Sequence, residues 1–206
     1  MRRSHRTLPG LATDLRTLSA DDMEGRLAGA AGGARARAYV VERAALDAEE
    51  SGQQGARRFV AMPPVPLEQL ALNLNMDMIG RDPHDLLYVA GTHGQPFLKP
   101  FIEAVAASAN VTLRMGHDNP DETSVEDWTR SSDHDPFCQA GIPCLYFGVE
   151  DFGNHHKATD VYETMTHAFY VRAVETMLRA VKEFDTGLAE VEKAKAKMGG
   201  GAPLGR

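Results

Sequence analysis

No stretch of this 206-residue chain approaches the roughly 20 consecutive apolar residues that span a bilayer, so a transmembrane helix is not expected. An excess of positive charge is also missing. There are 22 Lys and Arg against 29 Asp and Glu, a formal charge of -7, and nucleic-acid binding wants a basic face that displaces counterions from phosphates. The basic start, Met1 to Arg6, is followed by Thr7-Leu8-Pro9-Gly10 and not by an apolar run, so no signal peptide is legible and the cytoplasm is the default location. Cysteine is scarce. Cys138 and Cys144 cannot build a disulfide framework; their spacing permits one bridge, but two small buried thiols flanking Gly141-Ile142-Pro143 are the expectation. The single Trp128 and the few Tyr and Phe residues read as core and rim, not as a base-stacking platform. The strained Gly-x-Ser-x-Gly elbow is absent, which argues against a serine hydrolase built on Ser131 or Ser132.

What is present is ordinary globular material: 43% hydrophobic and 25% charged, enough for one large core and too little for two comfortable domains. Apolar spacing and Ala content predict helices over 11–18 and 34–46, with a glycine-rich loop between them. A short helix over 55–62 ends at Pro63-Pro64-Val65-Pro66, whose rings forbid continuation. Strands are expected at 70–76, 86–90, 111–115 and 143–147, and helices at 97–107, 133–140 and 162–184. The alternation predicts a layered α/β domain. The chain divides into an N-terminal segment 1–33, a main domain 34–185 and a charged tail 186–206, read as a frayed helix and a disordered end.

Several carboxylates and imidazoles sit at the edges of apolar runs. Glu49 and Glu50 are adjacent at a loop or strand end, where successive side chains point to different sides; one can hold a cation while the other faces an attacking water. Taken alone, such a pair is usually solvated surface. Asp77 closes an apolar strand, where α/β folds place ligands, although an Asp bonding loop amides is the competing reading. His155 and His156 precede the long helix, and Asp160 can cap that helix or orient an imidazole. Asp133 and His134, in Ser132-Asp133-His134, read as residues that order the loop or support a ligand shell.

The order Glu-Glu-Ser-Gly, Pro-Pro-Val-Pro-Leu, Asn-x-Asp-Met-Ile-Gly-Arg, Ser-Asp-His-x-x-Phe-x-x-x-Gly-Ile-Pro and His-Lys-x-x-Asp resembles the zinc-dependent aminopeptidase and glutamate-carboxypeptidase-like metallopeptidases, family twenty-eight, from residue 11 to about residue 183. The resemblance implies a three-layer α/β/α sandwich with a mixed, abbreviated sheet, a peptide substrate and two zinc ions. It implies Glu49 as general base, Glu50 and His156 on one zinc and Asp77 on the other, with Asp133, His134, His155 and Asp160 around them. Secretion is common in that family.

Two of the family's upstream motifs are missing. None of His5, His84, His93, His117, His134, His155, His156 and His167 has Asp two positions later, and Ala20-Asp21-Asp22 stands in the wrong context for the bridging carboxylate. Leu46 runs directly into Asp47-Ala48-Glu49, as if an internal stretch were gone. Two divalent ions about 3.5–4 Å apart need a shared carboxylate, and neither ion reaches the three protein ligands usual for catalytic zinc, so tight dinuclear binding is not expected. Missing strands would bare sheet edge and core, which makes homo-oligomerisation an expectation. The alternative to an exopeptidase is a non-catalytic, peptidase-like remnant or binding scaffold.

Overall fold

The computed structural model describes residues 49–198; the readings for 1–48, including the two N-terminal helices, and for 199–206 lie outside them. In chain order come α1 (Gln54–Ala61), β1 (Asn73–Met76), β2 (Leu86–Ala90), α2 (Lys99–Ser108), β3 (Thr112–Met115), α3 (His134–Gln139), β4 (Cys144–Gly148), α4 (His167–Thr186) and α5 (Leu188–Met198). The strands form one mixed sheet in the order β1-β4-β2-β3. β1 runs parallel to β4 and β2 parallel to β3, while β2 and β4 are antiparallel.

Side-chain alternation along the strands divides the interior into two faces. Leu87 and Val89 of β2 and Leu145 and Phe147 of β4 join Ile102, Val105, Phe169, Ala173 and Ala180 of α2 and α4 in the main core. The intervening residues, Tyr88, Ala90 and Tyr146, face the other way and pack with Trp128. On that side α3 lies against Tyr146 through His134, ring centroids 5.0 Å apart, and Phe137 of α3 packs with Ala56 of α1. The result is helices on both faces of a mixed sheet, the α/β sandwich expected from the sequence.

Several local differences have identifiable causes. β1 begins at Asn73 and not at residue 70, because the backbone at Leu70 is engaged elsewhere: its N–H donates to the Leu67 carbonyl and its carbonyl accepts from Lys195 Nζ at 2.6 Å. That lysine belongs to α5, the stretch read as a frayed helix. Val191 and Leu188 are buried and Lys195 docks on the turn Leu67–Gln69, so the helix is held against the domain. The long helix starts at His167; Tyr162–Thr164 forms a separate 3-10 turn, and extended Met165 lets the Thr166 N–H reach the Gly80 carbonyl.

The cysteine expectation is corrected. Cys138 and Cys144 form a disulfide, with Cα atoms 5.6 Å apart. The chain leaves α3, reverses at Gly141 in the left-handed region (φ 77°), and Ile142 N–H returns to the Phe137 carbonyl, which brings the first residue of β4 beneath Cys138. The spacing alone could not reveal that reversal.

Candidate metal-dependent active site

β1 and β4 are parallel neighbours, so both end at the same edge of the sheet, and the Asp77 N–H continues the ladder to the Phe147 carbonyl at 3.1 Å. Asp77 leads out of β1 and the loop 149–166 leads out of β4. This is the edge where open α/β sheets present ligand-binding groups.

Glu49 and Glu50 reach it from a tight turn. The Glu49 carbonyl accepts from the N–H groups of Gly52 and Gln53, at 2.9 and 2.7 Å. Both of those residues have positive φ, 93° and 57°, and Gln53 anchors the turn by donating from Nε2 to the Arg130 carbonyl at 3.2 Å. The two carboxylates then diverge, as adjacent side chains on a turn can. Glu49 lies beside Ser132 and feels the charges of Asp77, Glu50 and Asp133; burial first, then those three carboxylates, hold its carboxyl above the usual range. Glu50 points to His156, whose Nε2 is 2.9 Å from each carboxylate oxygen.

Asp77 is fixed by two donors: Met78 N–H to Oδ1 at 2.8 Å and the Ser132 hydroxyl to Oδ2 at 2.9 Å. Ser132 in turn accepts from Asn75 Nδ2 at 3.0 Å. Ser132, dismissed as a nucleophile, therefore has a different use: it is buried and ties the β1 end to the start of α3, beside Glu49. Its position two strands of sequence away from Asp77 gave no signal beyond the Ser-Asp-His string.

Asp133 follows it, 9% exposed, with its carboxyl pushed up to about 6 by burial and then by the Asp77 charge. His134 is buried as the first residue of α3; its Nε2 lies 3.0 Å from the Trp128 carbonyl, and burial lowers its pKa. Among the described residues, neither is hydrogen-bonded to Glu50 or His156. His134 orders the segment that carries Ser132 through the Trp128 carbonyl, whereas the buried Asp133 Oδ1 has no hydrogen-bond partner.

The loop bearing the histidines is clamped by a residue the sequence reading passed over. Arg81 donates from Nη2 to Asp160 Oδ1 and Thr164 Oγ1, both at 2.9 Å, and from Nε to the Thr164 carbonyl at 2.8 Å, while its Nη1 pairs with Asp151. Asp160 thus serves the guanidinium, not an imidazole, and the 3-10 turn after it follows extended Val161 with no side-chain cap. Between these clamped ends His156 adopts φ 59°, uncommon for a residue with a Cβ, and the His155 and His156 rings lie 3.8 Å apart.

Among the described residues, Glu50, His155 and His156 form one group whose ligand atoms all fall within 4.8 Å of each other; Asp77 is not in it. A carboxylate oxygen and imidazole nitrogens are ordinary zinc donors, and bond lengths near 2.0–2.2 Å place tetrahedral ligand atoms about 3.4 Å apart. The donor chemistry fits a zinc ion. Glu49 joins this group to Asp77 electrostatically, since its carboxyl senses both Glu50 and Asp77.

A mixed α/β sheet with carboxylate and imidazole donors gathered where two parallel strands end defines a candidate metal-dependent hydrolase of the layered α/β class. The model of Peptidase family M28 matches residues 29–181, and the chain belongs to that family. Its structure is similar to an aminopeptidase from Aneurinibacillus sp. strain AM-1, with TM-score 0.50 and 17% identity over 70% of this chain and 32% of that one. A second similar structure is BSAP, a zinc aminopeptidase from Bacillus subtilis, with TM-score 0.46 and 21% identity over 77% of this chain and 41% of the other. At 17% identity the first likeness speaks to the fold alone. The chain spans 32% and 41% of the length of these two structures, and no curated protein matches it.

Proposed function

We propose that the chain is a zinc-dependent exopeptidase of the aminopeptidase type, releasing terminal residues from peptides. The observation that carries this reading is the division of the adjacent glutamates: Glu50 against His156, and Glu49 turned toward Asp77 and Ser132. Glu50 and His156 would hold a zinc ion and Asp77 would serve a neighbouring one. Bound zinc supplies Lewis acidity, polarising the scissile carbonyl and acidifying a water.

The chain's own groups do the rest. Glu49 accepts the proton of the attacking water and returns it to the leaving amine, and a carboxyl raised above its usual range is better matched to that transfer near neutral pH. Ser132 keeps Asp77 in one rotamer while Asn75 fixes the hydroxyl. Arg81 holds both ends of the histidine loop, so that His156 meets Glu50 without a search.

The reading is tested by incubating the full chain with a short unblocked peptide and following products by mass spectrometry. Stepwise loss of terminal residues, abolished by a chelator and restored by zinc, is expected. Internal cleavage, or turnover indifferent to the chelator, contradicts it.

A further inference from the structure

We infer that residues 117–130 form a strap that keeps the glutamate turn and the histidine loop in register, with His117 as its positioning residue. The inference rests on the proposed roles of Glu49, Glu50 and His156, since it concerns what holds those groups in place relative to one another.

The strap starts where β3 ends. His117 takes the left-handed backbone (φ 61°), and the chain doubles back until the Trp128 N–H donates to the His117 carbonyl at 2.8 Å. Trp128 packs on the sheet face with Tyr88, Ala90 and Tyr146, and the buried His117 ring lies flat on the indole, centroids 3.6 Å apart and planes 5° from parallel. From that platform three polar links run to three pieces of the site. The Arg130 carbonyl accepts from Gln53 Nε2 at 3.2 Å and so holds the turn that carries Glu49 and Glu50. The Trp128 carbonyl faces His134 Nε2 at 3.0 Å and holds the start of α3, two residues after Ser132. His117 Nε2 lies 3.2 Å from Glu150 Oε1, at the head of the loop that carries His155 and His156. Arg81 ties that loop to the chain leaving β1; the strap adds its tie to the glutamate turn.

The His117 link is specific in its hydrogens. Nδ1 is 2.8 Å from the Glu126 carbonyl, which only accepts, so Nδ1 carries a proton. Glu150 also presents an oxygen, so the Nε2 to Oε1 contact is a bond only with a second proton between the two atoms. The stack on Trp128 fixes the plane of the ring, and the Glu126 carbonyl fixes its rotation within that plane, which aims Nε2 at Glu150. A displacement of about 1 Å at a reacting geometry costs on the order of 10²-fold in rate, so losing this aim shows in turnover before it shows in stability.

His117→Phe keeps a ring on the indole and removes both nitrogens, and Glu150, 37% exposed, regains water, so no buried charge is left behind. In the full chain supplied with zinc and a short unblocked peptide, kcat should fall about 10- to 100-fold with KM held within about threefold. Hydrogen exchange should accelerate at residues 149–158 while β2 and β4 keep the protection of the parent. Glu150→Ala should do the same, whereas Glu150→Gln, whose amide can donate to a bare Nε2, should hold kcat within about threefold of the parent. Parent-level kcat and exchange in His117→Phe overturn the inference; so does exchange accelerated equally in loop and sheet, or equal damage from Glu150→Ala and Glu150→Gln. If the parent cleaves no peptide, the exchange pattern decides alone: selective acceleration keeps the strap while the peptidase reading fails, and an unchanged pattern removes the strap.

Discussion

Asp133 gives the sharpest quantitative handle on the site. Its carboxyl is 9% exposed and rises from the usual 3.8 to about 6, first through burial and then through the charge of Asp77. Because the folded pKa lies above the unfolded one, the native chain binds this proton more tightly, and ionising it destabilises the fold. The penalty is absent below pH 3.8, grows between 3.8 and about 6, and is complete above. At about 1.4 kcal/mol per pH unit it reaches about 3 kcal/mol at pH 7.5 and stays small at pH 4. Asp133→Asn removes the charge and keeps the shape. Urea unfolding in excess chelator, at both pH values, should show the variant gaining stability relative to the parent as pH rises, by up to about 3 kcal/mol. The change with pH is the readout, since any altered hydrogen bond of the amide contributes equally at both. A difference that is flat with pH, or that moves the other way, refutes the placement of a buried carboxyl beside Asp77.

Other substitutions separate the parts of the structure. Phe147→Ala, in the centre of β4 and fully buried, should lower stability by about 3–5 kcal/mol in the same denaturant assay. Replacing both Cys138 and Cys144 with Ser removes a crosslink spanning 6 residues and should lower it by about 2 kcal/mol; equal midpoints with and without reductant in the parent would show that the bridge is not formed. Arg81→Ala leaves Asp151 without its cation and should cost about 2 kcal/mol, with hydrogen exchange at residues 153–164 accelerating more than in the sheet.

Much of the architecture was legible because the strands carry it locally. Residues 86–90 form a strand with the bounds that their apolar run implies, and the run before Asp77 ends where the carboxylate does. The divergence of the adjacent glutamates was readable, since turn geometry separates neighbouring side chains whatever the fold. What escaped the sequence depends on distant partners. The β1 start is set by Lys195, 125 residues from Leu70, and the clamp on the histidine loop by Arg81, 70 residues from Asp151. The disulfide needed the turn at Gly141, and the approach of His155 to Glu50 is associated with a left-handed backbone at His156 that no residue type announces. Asp160 was read as a cap for the long helix or a partner for an imidazole, whereas in space it meets the guanidinium.

The most direct measurement is the turnover of Glu49→Gln with zinc content determined on the same sample. Zinc retained at the parent level and kcat lowered by about 10²–10⁴ are expected, because the amide keeps the shape and cannot take the proton. Unchanged turnover with full zinc would contradict the hydrolytic centre proposed for Glu49, Glu50, Asp77 and His156.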